Sequence, residues 1–407
     1  TIFFLFTTYL KHKLLILLIF FNKLTDFSST NNNINIYMKI IINREALLES
    51  LQKIIGVVER RQTMPILGYV LFRQTNNTYE LVASDMEVQL VSPVEPESVE
   101  SFEPNATFPG RKIYDICKGL PSNTKITINY DQSGKSVVSA NKSKFTLASL
   151  DGGTFPIIDP EESDCNFQVN NKSINEVIEK VAFAMAQQDV RFYLNGMFFN
   201  IVDNEICGVA TDGHRLAKAS NATPTNVDDN RNAIIPRKGV MEMQKHTDSS
   251  EEETISGKLS ANYLTLSSNH IEMTTKLIEG KFPSYEKVIP SDCDKTVKIS
   301  VKDLKESLSR VSILSNDRFR GVRLLFESNT VKISAHNPEK EEAQEELDCL
   351  YDGPSIEVGF NVAYLLDVLN VVKTEMAEIN LKDSNSSALL TPENDQNSSY
   401  VIMPMRL

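Results

Sequence analysis

The sequence predicts an α+β protein of three tandem, similar domains, each carrying two helices and several short antiparallel strands. Two observations lead there. One strand–cap–helix unit occurs three times at nearly constant spacing, and each copy is followed by a second apolar-faced helix. The 407 residues also suit two to four domains, at roughly 100–200 residues each.

Residues 1–37 stand apart from this pattern. Thr1 to Phe21 is almost wholly apolar and aromatic, broken by Lys11, His12 and Lys13, and the Asn-rich stretch Asn31–Asn35 follows. The run Leu14 to Phe21 falls short of the about 20 apolar residues that a membrane-spanning helix needs. An apolar block precedes the lysines and no small-residue cleavage site comes after them, which departs from a signal peptide. The segment reads as a non-native, disordered upstream extension, with an anchor or targeting segment as the alternative. A clean domain start lies at Met38.

The repeat begins there. Ile40-Ile41-Ile42-Asn43 leads into Leu47, Leu51 and Ile54. Phe167-Gln168-Val169-Asn170 leads into Ile174, Ile178 and Val181, and Val297-Lys298-Ile299-Ser300 into Leu304, Leu308 and Val311. Asn43, Asn170 and Ser300 suit N-caps, since their side chains can accept from the unpaired N–H groups of a first helical turn. The apolar residues fall at +4, +8 and +11 from each cap, one face of a 3.6-residue period. Separations between caps are 127 and 130 residues. Second helices open at Arg111-Lys112-Ile113, Arg237-Lys238-Gly239-Val240 and Asn361-Val362, continuing through Ile116, Cys117 and Leu120, through Met241 and Met243, and through Leu365, Leu366 and Leu369. Leu150-Asp151-Gly152-Gly153-Thr154-Phe155-Pro156 is echoed 127 residues later by Leu277-Ile278-Glu279-Gly280-Lys281-Phe282-Pro283. Alternating runs such as Tyr79 to Ala83, Ser136 to Ala140 and Val331 to Ala335 read as half-buried strands, some joined by Asn- or Gly-bearing turns. The expected domains are 38–163, 164–289 and 290–407.

Composition narrows the chemistry. The five cysteines are scattered without a CxxC pair, which argues against a disulfide scaffold or zinc site and for a reducing cytosol. A net charge of −12 argues against a continuous basic surface gripping nucleic acid. Asp212 and His214 invite a general-base reading, but no nucleophile motif accompanies them, and the remaining histidines are isolated. No Walker-type phosphate loop occurs, and neither a metal nor a cofactor is expected.

Several longer motifs point to one family. They are Met64-Pro65-Ile66-Leu67-Gly68, the run Gln188 to Met197, Ala210-Thr211-Asp212-Gly213-His214-Arg215-Leu216, Ile235 to Gly239, Phe319 to Leu324, and Met403-Pro404-Met405-Arg406-Leu407. Together, over Met38 to Leu407, they resemble the β subunit of bacterial DNA polymerase III, the sliding-clamp family. The resemblance implies a non-catalytic processivity factor of the cytoplasm, found at replication forks. It implies a head-to-tail homodimer that encircles duplex DNA, with two helices per domain lining the hole and sheets outside. An ATP-dependent clamp loader would place it on DNA. Partners would be the replicative polymerase's catalytic subunit, the loader, and repair and translesion polymerases, held through short peptides with Leu and Phe anchors.

Site residues follow by the same resemblance. DNA contacts map onto Arg61, Gln188, Phe192 and Tyr193, with Arg111, Lys112, Arg237 and Lys238 as cations at helix starts. The peptide cleft would be lined by Leu194, Thr211, Gly213, His214, Arg215, Leu216, Pro283, Lys287, Val288, Phe319, Asn361, Tyr364, Ser387, Val401, Ile402, Met403, Pro404, Met405 and Arg406. The dimer contact would carry Phe145 and Leu147 on one side and Ile313 and Leu314 on the other, residues that ordinary core packing would explain equally well. Phe192 stands where the family often has Tyr, and Lys287 where Arg is expected. Further helix cations that could supply a weak field to DNA are Arg44, Lys53, Arg60, Lys118, Lys302, Lys305 and Arg310, with acidic runs such as Glu339 to Glu346 left outside. Each alone reads equally as a solvated helix face. Competing functions are a three-domain hydrolase around Asp212 and His214, and a peptide-binding scaffold that does not encircle DNA.

Overall fold

The computed structural model describes residues 36–59, 64–101, 105–131, 134–160, 162–227, 229–249, 253–316 and 318–406. The extension expected at the N-terminus lies outside them, except that strand β1 already starts at Ile36. The chain runs β1 (Ile36–Asn43), α1 (Arg44–Ile54), β2 (Tyr69–Thr75), β3 (Thr78–Ser84), β4 (Val88–Val94), β5 (Ser98–Ser101), β6 (Asn105–Pro109), α2 (Gly110–Gly119), β7 (Lys125–Asp131), β8 (Lys135–Ala140) and β9 (Ser143–Ala148). The same plan continues as β10 (Cys165–Asn170), α3 (Asn171–Val181), β11 (Gly196–Val202), β12 (Glu205–Thr211), β13 (Arg215–Ala222), β14 (Arg231–Pro236), α4 (Arg237–Ser249), β15 (Thr254–Leu259), β16 (Tyr263–Ser267) and β17 (Glu272–Lys276). A third round comprises β18 (Lys295–Ser300), α5 (Val301–Val311), β19 (Gly321–Glu327), β20 (Thr330–His336), β21 (Glu342–Asp348), β22 (Ile356–Asn361), α6 (Val362–Val371), β23 (Met376–Leu381), β24 (Ala388–Pro392) and β25 (Ser398–Ile402).

The caps work as the sequence predicts. Asn43 accepts from Glu45 N, Asn170 from Lys172 N and Ser173 N, and Ser300 from Asp303 N. Asn361 caps α6 in the same way, accepting from Ala363 N. Behind the caps, the residues at +4, +8 and +11 are all buried in α1, α3 and α5. Each such side chain contributes about 1.5–3 kcal/mol of burial. In α4 the face is carried by Val240 and Met243, while Met241 points outward, because Gly239 and Val240 occupy the turn that meets the sheet. Asn76 and Asn77 both take positive φ, the geometry of a tight two-residue hairpin turn between β2 and β3.

Sheets do not stop at domain limits. Strands β10-β15-β16-β17 of the second domain join β4-β3-β2-β6 of the first as one eight-stranded sheet. Strands β14-β11-β12-β13 of the second join β25-β24-β23-β18 of the third as another. Both seams are antiparallel, with Thr274 opposite Gln89 and Ala217 opposite Tyr400. The half-sheets left over are β5-β1-β7-β8-β9 at one end and β21-β20-β19-β22 at the other. Ion pairs reinforce the seams. Lys238 of α4 meets Glu59 at 3.0 Å and also Asp85, while Lys180 meets Asp395 at 3.0 Å and Lys373 meets Glu179 at 2.7 Å. No helix among the described residues is long and apolar enough to cross a membrane.

Candidate peptide cleft and nucleic-acid interface

A cavity of about 200 Å³ opens beside the seam between the second and third domains. The β12–β13 turn forms its back wall. Thr211 Oγ1 accepts from Gly213 N at 3.1 Å and donates to Arg215 O at 2.6 Å. Asp212 Oδ1 accepts from the backbone N–H groups of His214 and Arg215, at 2.9 and 3.0 Å. Gly213 takes φ +88°, a backbone conformation that favours glycine, and the Arg191 guanidinium lies 2.9 Å from where a Cβ would sit. Met403 N donates to His214 O at 2.9 Å, which ties the chain after β25 to this turn.

Arg215 anchors the wall from behind. Its guanidinium reaches Asp212 at 3.1 Å, Asp367 of α6 at 2.5 Å and the Phe183 carbonyl at 2.8 Å. It also lies over the Phe183 and Tyr364 rings, at 5.2 and 4.5 Å. One side chain thereby joins the cleft to both domains. Asp212 is bound to this guanidinium and to backbone N–H groups, an arrangement that orients a turn and leaves His214 outside any side-chain pair with it. That geometry does not build a general-base dyad.

Ten residues expected in the cleft line this cavity: Leu194, Thr211, Gly213, His214, Arg215, Leu216, Pro283, Val288, Val401 and Met403. The others lie around it. Tyr364 packs behind Arg215, Asn361 caps α6, Ile402 is buried in the β13–β25 seam, and Lys287 is exposed in the turn before Val288. Ser387 and Pro404 are half-buried. Phe319, Met405 and Arg406 line a separate cavity of about 360 Å³ on the third domain. Arg191, Tyr193 and Tyr285 also line the first cavity. Of these, Arg191 and Tyr285 escaped the sequence reading. Arg191 had a signal in the Asp189-x-Arg191 spacing: the two side chains pair at 2.8 Å, and the guanidinium holds the Asp189 carboxyl down at about 2. Tyr285, two residues beyond the Phe-Pro pair, packs on Phe198, and burial pushes its hydroxyl pKa upward.

The DNA-contact residues fall into three groups. Arg61, with Arg60, lies outside the described residues. Gln188 and Phe192 are exposed on one loop, Phe192 at 73%. Tyr193 is half-buried against the cleft. Lys112 is exposed, whereas Arg111 donates to Val58 O at 3.0 Å and Arg237 donates toward Ala182 O and Met185 O. Lys238 is the clear departure. Two carboxylates of the first domain hold it, so it ties a seam together and is not a free cation.

At the outer edges, Ile313 is 76% exposed and Leu314 half-buried in the turn after α5. Phe145 is half-buried on edge strand β9, and Leu147 beside it is already buried within the chain.

Family comparisons decide the kinship. The models for the DNA polymerase III beta subunit match in order, the N-terminal domain over residues 38–159, the central domain over 168–284 and the C-terminal domain over 286–406. The chain belongs to that family. It is 44% identical over 371 residues to the beta sliding clamp of Pseudomonas putida, covering 91% of this chain and 100% of that one. The crystal structure of DNA polymerase III subunit beta from Pseudomonas aeruginosa superposes with a TM-score of 0.86 at 42% identity, covering 91% and 100%. A sliding clamp from the same organism, bound to griselimycin, superposes at 0.85 with 42% identity over the same shares. The family is that of a non-catalytic subunit, the processivity factor of the replicative polymerase.

Proposed function

We propose that two copies of this chain close head to tail into a ring around duplex DNA and tether polymerase peptides in the cleft beside Arg215. One observation carries the ring: each internal seam joins equivalent strands. β17 of the second domain pairs with β4 of the first, and β25 of the third with β13 of the second. The strand equivalent to β17 and β25 in the first domain is β9, and the one equivalent to β4 and β13 in the third is β21. Both are edge strands of their sheets, and among the described residues neither has a neighbour on its outer side. Pairing β9 of one copy with β21 of the next repeats the same junction, and two chains then give six junctions of one kind, with no strand of the β4 or β9 type left at an edge. Charge agrees, since Lys142 just before β9 and Lys144 on it are exposed, while Glu342, Glu346 and Asp348 are exposed on β21.

The cleft supports peptide docking by its composition. Leu194, Leu216, Val288, Val401 and Met403 give apolar contact, and Arg191, His214 and the Thr211 turn give orienting polar groups. A short segment with Leu and Phe anchors fits these walls, and a replicative polymerase, a loader and repair polymerases could share it in turn. Duplex DNA cannot enter a closed ring without its opening, which supports loading by a separate, ATP-dependent complex. Retention on a nicked circular plasmid, with release once the plasmid is linearised, is the expected behaviour. Equal retention on circle and line would leave an open scaffold as the correct reading.

A further inference from the structure

A cavity of about 650 Å³ opens on the second domain, between edge strand β14, the start of β10 and the chain that leaves β17. Pro283 and Tyr285 border both it and the peptide cleft, and its other walls are its own. The first domain shows how the same place is closed. There the chain leaving β9 lies down on β6, where Thr107 Oγ1 accepts from Leu150 N at 2.8 Å and donates to Leu150 O at 2.6 Å. Tyr130 is buried beside them, and its hydroxyl donates to the same Leu150 carbonyl at 3.3 Å. Gly152 is buried so close to β6 that a Cβ there would stand 2.8 Å from the Cβ of Asn105.

Three replacements at equivalent positions undo this closure. Leu259 stands for Tyr130, since it lies opposite Cys165 in register as Tyr130 lies opposite Met38. Ile234 stands for Thr107, two residues before the proline that ends the strand, and Glu279 stands for Gly152 in the echoed connection. The ring, the clamping hydroxyl and the bare backbone are all lost. A side chain at 279 cannot approach Asn232 as Gly152 approaches Asn105, and Glu279 and Gly280 stand exposed. A backbone bond from Ile278 N to Ile234 O, at 2.9 Å, still ties this chain to β14. It fixes which way the strand edge faces: outward backbone groups fall at Ile234 and, by the two-residue period, at Asn232. Among the described residues, no backbone group pairs with Asn232 on that side.

We infer that this cavity is a socket for a tyrosine carried on an extended segment of a partner protein. Its volume lies within the roughly 300–1,000 Å³ typical of ligand sites and exceeds what one ring needs. The remainder suits the segment's own backbone, which would add to the β14 edge at Asn232. The ring would rest on Leu259 and on the stacked pair Phe198 and Phe282, whose centroids are 5.2 Å apart. Its hydroxyl would donate to Leu277 O, as that of Tyr130 donates to Leu150 O. The rim carries both signs, Arg231 and Lys281 with Asp164, Glu279 and Glu286, so it demands no net charge of the segment.

Methyl NMR on the full chain tests it, with three blocked, threonine- and valine-flanked peptides that differ only in a central tyrosine, phenylalanine or alanine, and with p-cresol as the free ring. The tyrosine peptide should shift the methyl signals of Ile234, Leu259, Leu277 and Ile278 saturably. Phenylalanine should weaken binding about two- to tenfold through the lost hydrogen bond, and alanine about tenfold or more. Leu259→Tyr supplies the ring from within, and Ile234→Thr combined with Glu279→Gly restores the clamp. Each should remove the response, while methyl signals of the first and third domains stay in place and show the fold intact. The socket is overturned if the four signals do not move, if the alanine peptide moves them equally, or if they still move in both variants. Shifts centred on Leu194 and Val401 instead place the peptide in the cleft and overturn it too. p-Cresol binding as tightly as the tyrosine peptide overturns the extended segment.

Discussion

Replacing Ile313 probes the seam on which the proposed ring depends. Its side chain is 76% exposed in the single chain. Fully burying an isoleucine contributes about 1.5–3 kcal/mol, so covering the exposed part contributes about 1–2 kcal/mol. A two-fold ring has two seams, and one substitution acts at both, for about 2–4 kcal/mol or roughly 30- to 1,000-fold in the dissociation constant. Ile313→Ala should show that packing loss alone. Ile313→Asp should exceed it, because a carboxylate would lose its water in an apolar contact without a hydrogen-bonded partner built for it. The turn holding Ile313 is exposed, so neither variant should disturb the fold of the separate chain by more than about 0.5 kcal/mol. Sedimentation velocity over a concentration series reads the dimer directly. Ile313→Asp with an unshifted dissociation constant would place the contact elsewhere and refute the β9–β21 seam.

Three further outcomes follow from the described geometry. Arg215→Lys cannot span Asp212, Asp367 and the Phe183 carbonyl at once, so peptide affinity and the thermal transition should both fall, by about 2–3 kcal/mol at the cleft, as read by calorimetry and fluorescence polarisation. His246, on α4, has its pKa pushed by burial from 6.5 down to about 4, against the attraction of Glu242 and with Lys245 and Lys53 adding to the drop. The unfolded chain therefore binds the extra proton; stability is whole above pH 6.5 and should fall by up to about 3 kcal/mol as pH drops towards 4, a slope that His246→Gln flattens in pH-dependent melts. Phe192→Ala should weaken binding to a primed template with a single-stranded overhang by about 1–3 kcal/mol per stacked base, and leave binding to plain duplex unchanged in anisotropy measurements.

Most of the architecture was legible because local signals repeated. The Asn43, Asn170 and Ser300 caps, and the apolar faces behind them, depend only on residues within one helix turn or three, and each occurs in the structure as read. The fusion of half-sheets across domains was not legible. Pairing of β17 with β4 joins residues nearly two hundred positions apart, and no local pattern encodes which edges meet. The cleft was legible where a turn carried it, as in Thr211 to Leu216, and incomplete where the wall came from elsewhere, as with Tyr285. Lys238 shows the opposite error. Its place at a helix start is that of a DNA-facing cation, but Glu59 and Asp85 approach from another domain and neutralise it.

That neutralisation bears on how an acidic protein can hold a polyanion. Of the helix cations in the described residues, Arg44, Lys53, Lys238 and Arg310 are ion-paired, whereas Lys112, Lys118, Lys302 and Lys305 have no ion-pair partner among the described residues. A few unpaired lysines on flexible stems, acting over a Debye length of about 8 Å, give a weak and evenly spread attraction. Tight phosphate contacts would add affinity but also pin the ring in place, since each must break for the ring to advance. If topology supplies retention, the electrostatic field need only keep duplex off the acidic rim. Removing one of these lysines should then change sliding and loading slightly, while opening a seam should abolish retention outright.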